Sequence, residues 1–229
     1  MNEFYSDGAD ATYRVEYVNG GLYNPNSPGL EATTNVQYAA AMTYPTTLIF
    51  YTTGGTFIAD DPLLKLVRTL LLLEDMPQTI SISYGAYGVN MPMESAGGIC
   101  YLVSYLGAFG VSVLVSTGDD GVGPGTCKDV YGDVHFIPTF PATCTSDVSC
   151  TALNQYASTS TSHSLPHHAL AGPFVTSVGC TMNIPEKAAS LSGGGFSSYF
   201  KREPYQIDAV DGFLADLKSP YDVQVCLLL

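Results

Sequence analysis

An α/β fold with a mostly parallel sheet and helices on both faces is predicted by three observations. Short β-branched and apolar runs alternate with longer helix-forming runs from residue 13 to residue 115. Their order is strand, helix, strand, helix, strand, which joins parallel strands through helical crossovers. A chain of 229 residues is also long enough to bury one large core or two small ones.

The elements follow in order. Residues Tyr13–Val18 read as a strand. Glu31–Met42 reads as a helix, favoured by Ala39, Ala40 and Ala41. Thr47–Tyr51 is a β-branched and aromatic strand. Pro62–Glu74 is a helix with Pro62 in its first turn and Asp60 or Asp61 as its cap. Thr79–Ser83 is a strand, Glu94–Phe109 a helix ended by Gly110, and Val111–Val115 an apolar strand. Beyond Asp120 the pattern loosens. Gly123-Pro-Gly-Thr-Cys127 is turn-rich, His135–Phe140 reads as a short strand, and Phe174–Val178 resumes as a β-branched strand. In sheets of this class functional loops lie beyond the carboxyl ends of the strands, which draws attention to Tyr84-Gly85 and Gly118-Asp119.

Charged residues make up 13% of the chain, about half the usual share. With 21 acidic against 8 basic residues the net charge is −13, a balance that repels nucleic acid and anionic membranes. It also suits an acidic medium, where carboxylate protonation removes self-repulsion. The run Leu63–Leu73 is too short to span a bilayer and is broken by Lys65 and Arg68. The opening residues are polar and acidic, unlike a signal peptide, so the compartment stays open at this point. Six cysteines permit disulfides, and Cys127 and Cys144, which flank one loop, are expected to pair if the protein is secreted. No Cys-x-x-Cys occurs, which argues against a zinc or redox motif.

Several groups carry candidate chemistry. Glu31 and Asn35 lie four apart on a predicted helix and share one face. By spacing alone Glu31 reads as an exposed residue of the first turn. Asp119 follows an apolar strand and a glycine; a protonated carboxyl there can donate to a developing oxyanion, and the plainer alternative is a turn carboxylate. Ser83, Tyr84 and Gly85 end a buried-type strand, where a glycine beside an aromatic admits a peptide backbone or simply makes a turn. The glycines of Ser192-Gly-Gly-Gly-Phe-Ser197 are not followed by Lys-Ser/Thr, so they do not form a phosphate loop, and no base is placed for Ser192 or Ser197. His163, His167 and His168 lie in a low-order stretch without ligand-like spacing, and no metal is assigned to them.

Taken together, Glu31-Ala-Thr-Thr-Asn35, Ser81-Ile-Ser-Tyr-Gly85, Ser116-Thr-Gly-Asp-Asp-Gly121, Phe140-Pro-Ala-Thr-Cys144 and Ser192-Gly-Gly-Gly-Phe-Ser197 resemble the sedolisins, most closely their fungal tripeptidyl-peptidase branch. These are serine-carboxyl peptidases with a subtilisin-like fold. The resemblance covers most of residues 13–144 and 173–221. It implies that Glu31 is the general base, that Asp119 is the oxyanion donor, and that Ser83, Tyr84 and Gly85 line the substrate cleft. The position of the relay Asp is taken by Asn35, which orients a neighbour but does not ionise. Cys180 stands where the family has a glycine, which implies strain in a turn. The resemblance further implies peptide or protein substrates, secretion to the extracellular space and a monomer. No cofactor is expected in this chain. Calcium is expected in full-length relatives, with ligands beyond the C-terminus. None of the four histidines sits in a subtilisin-like motif.

The resemblance also breaks. The family's serine lies in a Gly-Thr-Ser motif further along, and no Gly-Thr-Ser occurs here. The fold is therefore expected to be incomplete at the C-terminus. Residues 145–172 intervene where the family runs on directly, and residues 223–229 depart from it. A retained intron and a second unspliced junction are the expected origin, against a lineage-specific loop and tail. The expectation for the chain as written is poor folding and no activity, in a fragment of an acid-acting peptidase. The alternative is a non-catalytic pseudo-peptidase that binds peptides or partner proteins. Asn35 favours the latter, because intron retention does not substitute a residue inside a motif.

Overall fold

The computed structural model describes residues 12–56, 61–123, 136–144, 174–197 and 199–216. The segment 145–172, the three histidines within it, Cys127 and the tail 223–229 lie outside the described residues. The chain divides into two compact units, Met1–Leu72 and Leu73–Leu229.

In the first unit β1 (Tyr13–Val18) and β2 (Leu48–Thr53) pair in parallel, from Tyr13 opposite Leu48 to Val18 opposite Thr53. Parallel neighbours need a crossover, and α1 (Leu30–Thr43) supplies it. α1 buries a narrow stripe, Val36 and Ala40, one turn apart. Leu30, Tyr38 and Met42 on the same helix are exposed. After β2 comes α2 (Pro62–Leu71), which buries Leu63, Val67 and Leu70 at the i, i+4, i+7 spacing of a single face. Its start is fixed by Asp61, whose Oδ1 accepts from the amides of Leu63 at 2.9 Å and Leu64 at 3.3 Å. α2 stops short of the expected Glu74. The Leu72 amide turns back to the Thr69 carbonyl, and exposed Glu74 and Asp75 offer no further apolar face.

The second oxygen of Asp61, Oδ2, is buried without a hydrogen-bond partner among the described residues. Burial is the leading cause that raises its carboxyl above the ordinary 3.8, against the two amide bonds that lower it. A carboxyl with a raised folded-state value binds its proton more tightly folded than unfolded. Its contribution is thus complete below 3.8 and is lost as pH rises through the folded value. Denaturant midpoints of the wild type should therefore fall across that window. Asp61→Asn keeps a capping oxygen and should flatten this part of the profile; an unchanged pH slope in the variant would refute the assignment.

The second unit begins with β3 (Thr79–Ile82), whose Ile80 and Ile82 are buried while Thr79 and Ser81 face outward. A two-residue strand, β4 (Ala86–Tyr87), and a 3-10 turn over Gly88–Asn90 lead into α3 (Met93–Ala108). α3 buries Ala96, Ile99, Cys100, Val103 and Leu106. Gly110, at φ +86°, then reverses the chain into β5 (Ser112–Ser116). β5 is the centre of a three-stranded parallel sheet, flanked by β3 and by β7 (Val175–Val178). Val113 and Val115 are buried and Leu114 half-buried, so both faces of this strand are at least partly covered. Between them in sequence, β6 (Thr139–Phe140) pairs antiparallel with β4. It is shorter than the expected His135–Phe140, because Pro138 and Pro141 bracket it and donate no amide to a ladder. A small hairpin of β8 (Thr181–Met182) and β9 (Lys187–Ala188) follows, and α4 (Ile207–Asp216) closes the described chain.

The cysteine expectation is corrected. Cys144 is bonded to Cys100, not to Cys127, with the two Cα atoms 5.3 Å apart. Cys100 lies on the buried face of α3, so helix packing, rather than closeness along the chain, brings the partner to Cys144. Cys180 is an exposed free cysteine. It is absent from the residues with positive φ, so the expected turn strain is not found there.

Candidate active site

Glu31 and Asn35 stand in the first unit, both exposed, on adjacent turns of α1. Glu31 lies in the first turn, where a carboxylate is favoured by the helix dipole. The second unit holds the other predicted residues.

Three of its motifs leave the carboxyl ends of the three parallel strands. Ser83, Tyr84 and Gly85 follow β3, Thr117–Gly121 follows β5, and Gly179-Cys180 follows β7. The loops are stitched by backbone bonds. Thr117 N–H donates to Val178 O at 3.1 Å, Gly193 N–H to Gly118 O at 3.1 Å, Gly121 N–H to Leu191 O at 2.9 Å and Gly194 N–H to Gly121 O at 3.0 Å. The glycine-rich segment therefore lies directly on the turn that carries Asp119. Gly193 is required for that approach, because a Cβ there would overlap the Thr117 carbonyl. Thr117 Oγ1 is buried beneath this junction without a hydrogen-bond partner among the described residues.

Ser192 and Ser197 have structural work. Ser192 Oγ accepts from the Cys180 amide at 3.0 Å, and Ser197 Oγ accepts from the amides of Tyr199 and Phe200, each at 3.1 Å. Tyr199 in turn donates its hydroxyl to Met91 O at 2.7 Å, and burial pushes its phenol up.

Phe140-Pro-Ala-Thr-Cys144 is the brace of this end of the sheet. Phe140 and Pro141 are fully buried. Ser177 Oγ of β7 donates to Ala142 O at 2.5 Å, and Cys144 is bonded to α3. The space that a side chain would fill at Gly85 is taken by the Phe140 carbonyl and the Thr139 methyl. The close approach at Gly85 is thus made by the chain's own β6, while Tyr84 beside it is 60% exposed.

Asp119 and Asp120 are both exposed at the tip of their turn. Tyr87 of β4 donates its hydroxyl to Asp120 Oδ2 at 2.5 Å. That bond, followed by burial, raises the Tyr87 phenol above its ordinary 10.0. Sequence reasoning missed Tyr87. It lies two residues past Gly85 with no motif around it, and only the β4–β6 pairing aims it at the turn. Among the described residues no group of three or more His, Cys, Asp or Glu is placed to hold a metal ion.

No family model matches the sequence. Curated relatives do. Tripeptidyl-peptidase SED3 of Arthroderma otae is 32% identical over 246 residues, covering 96% of this chain and 37% of its own. Tripeptidyl-peptidase sed4 of Aspergillus fumigatus is 32% identical over 223 residues, covering 88% of this chain and 33% of its own. The chain thus spans about a third of the length of the relatives it matches. Among solved structures, Pseudomonas sedolisin, a serine-carboxyl proteinase, superposes with a TM-score of 0.54 at 16% identity, over 88% of this chain and 54% of that one. That likeness bears on the fold, which is α/β, subtilisin-like and mostly parallel. The sequence similarity and the shared fold make this chain a homologue of the fungal tripeptidyl-peptidases of the sedolisin family.

Proposed function

We propose that this chain is part of an acid-acting serine-carboxyl peptidase that removes tripeptides from free N-termini of extracellular peptides through an acyl-enzyme. The observation that carries this reading is the gathering of Ser83–Gly85, Thr117–Gly121 and Ser192–Gly194 at the carboxyl ends of β3, β5 and β7. In it Glu31 takes the serine proton, Asp119 in its protonated form donates to the oxyanion, and Tyr84 lines the cleft beside Ser83 and Gly85. Residues 1–229 carry no Gly-Thr-Ser, so this stretch by itself is expected not to turn over substrate. The nucleophile belongs to a longer product. Calcium is assigned to that longer product too. Among the described residues no group of three or more His, Cys, Asp or Glu is placed to hold it. An extracellular location agrees with the Cys100–Cys144 disulfide, and no helix among the described residues is long and apolar enough to cross a membrane.

The test is turnover of an N-terminal tripeptide substrate in acid by the product read through from the spliced transcript. Asp119→Ala should lower kcat by roughly 10²–10³, the cost of one oxyanion donor. Retention of full kcat would remove Asp119 from the mechanism.

A second reading is favoured by one residue. Asn35 stands one helical turn from Glu31, where the family resemblance implies an ionisable relay. A pseudo-peptidase that binds peptides at the cleft around Tyr84 fits that substitution. Its signature is peptide binding at acid pH with no cleavage by the longer product.

A further inference from the structure

We propose that Tyr87 is a positioning residue for Asp119, acting through Asp120. The inference rests on the reading of Asp119 as the oxyanion donor. On one side the turn after β5 is anchored, among the described residues, through its backbone. Thr117 is held by Val178, Gly118 by Gly193, Gly121 by Leu191 and Gly194, and Asp120 O accepts from Gly123 N–H at 3.0 Å. All of these anchors except the last come from the β7 and glycine-loop side.

On the opposite side the Ile137 N–H, just before β6, donates to Val122 O at 2.8 Å, and a side chain holds Asp120 itself. Tyr87 reaches across from β4 and donates to Asp120 Oδ2 at 2.5 Å. Tyr87 is itself braced. It lies opposite Thr139 in the β4–β6 ladder, and the next residue, Gly88, donates its amide to Pro138 O at 3.1 Å. β6 continues directly into the buried Phe140-Pro141 step and the Cys100–Cys144 tie. Asp119 therefore sits between a backbone seam on one flank and a phenol on the two-stranded β4–β6 ribbon on the other. An exposed carboxyl at a turn tip is aimed only as well as its turn is held. A hydroxyl donating to a carboxylate is among the stronger and more directional ways to hold it. The raised phenol of Tyr87 agrees with its place as donor in this bond.

The experiment uses the full 229-residue chain with ¹³C-labelled aspartate and reads the Asp119 carboxyl resonance, assigned with Asp119→Asn. Tyr87→Phe keeps the ring and removes the donor. Asp120→Ala removes the acceptor, and Asp120→Asn keeps a neutral one. Tyr87→Phe and Asp120→Ala should move the Asp119 resonance in the same direction by more than its linewidth. The double variant should add nothing, and Asp120→Asn should lie closer to wild type. A resonance that stays in place in a folded Tyr87→Phe protein, with only the melting temperature lowered, makes Tyr87 merely structural and overturns the proposal. If Tyr87→Phe does not fold, Asp120→Ala against Asp120→Asn decides alone, and coincident Asp119 signals overturn it. Loss of the peptidase reading looks different: Asp119→Ala in the longer, serine-bearing product would leave turnover intact, while in the 229-residue chain the Tyr87→Phe shift of the Asp119 resonance persisted.

Discussion

Replacing Cys100 with Ala and Cys144 with Ser is expected to destabilise the second unit by about 4 kcal/mol. The two residues are 44 apart in sequence. Closing a loop of that size removes denatured-state entropy worth about 4 kcal/mol at 25 °C. At roughly 2–4 °C per kcal/mol for a domain of this size, the melting temperature should fall by about ten degrees or more. Alanine suits position 100, which is buried, and serine suits position 144, which is half-buried. The bond is placed where its loss is felt at the site. It ties the buried face of α3 to the segment that closes on Gly85, pairs with β4 and receives the Ser177 hydroxyl. Calorimetry of wild type, reduced wild type and double variant checks this. Equal melting temperatures in all three would show that the non-covalent brace alone holds β6.

The repeating elements were legible in the sequence because periodicity reports burial. Tyr13–Val18 is found with the same bounds, and α1, α3 and β5 shift by about a residue at their ends. The apolar alternation of Ile80 and Ile82 and the helical spacing of Leu63, Val67 and Leu70 each name one face. Irregular connections carry no period, so their geometry was not legible. The contact between Gly193 and Gly118 joins two glycine-rich motifs far apart in the chain, and each motif alone says only that the backbone comes close to something. The partner of Cys144 was misjudged because proximity along the chain was weighed above the buried face of a helix. Tyr87 was invisible because a single phenol-carboxylate bond leaves no spacing to read. The residues proposed for chemistry, Glu31 and Asp119, were reached through motif resemblance; each sits exposed at an element's end, where periodicity says least.

Asn35→Asp is expected to raise acid peptidase turnover of the longer, serine-bearing product by as much as about 10⁴, taking the Asp→Asn cost in a serine triad as the guide. The substitution is nearly isosteric, and Asn35 is exposed on α1, so stability should change by no more than about 0.5 kcal/mol. What changes is the chemistry available one turn from Glu31. An amide holds its neighbour by a hydrogen bond and neither takes nor gives a proton. A carboxyl pair on one helix face shares a proton in acid, and it lets the charge taken up by the base spread over two groups. A like-charge pair at this spacing costs a helix roughly 0.2–0.5 kcal/mol when both ionise, a repulsion that protonation in acid relieves. The gain should therefore be largest at low pH and fade towards neutrality. Adding Glu31→Gln to the Asn35→Asp variant should abolish the gain, which separates a restored relay from a general change in surface charge. Turnover that is already full with Asn35 would mean that the helix pair is not the relay. A product that stays silent in both forms while still binding peptide would assign the chain to the pseudo-peptidases.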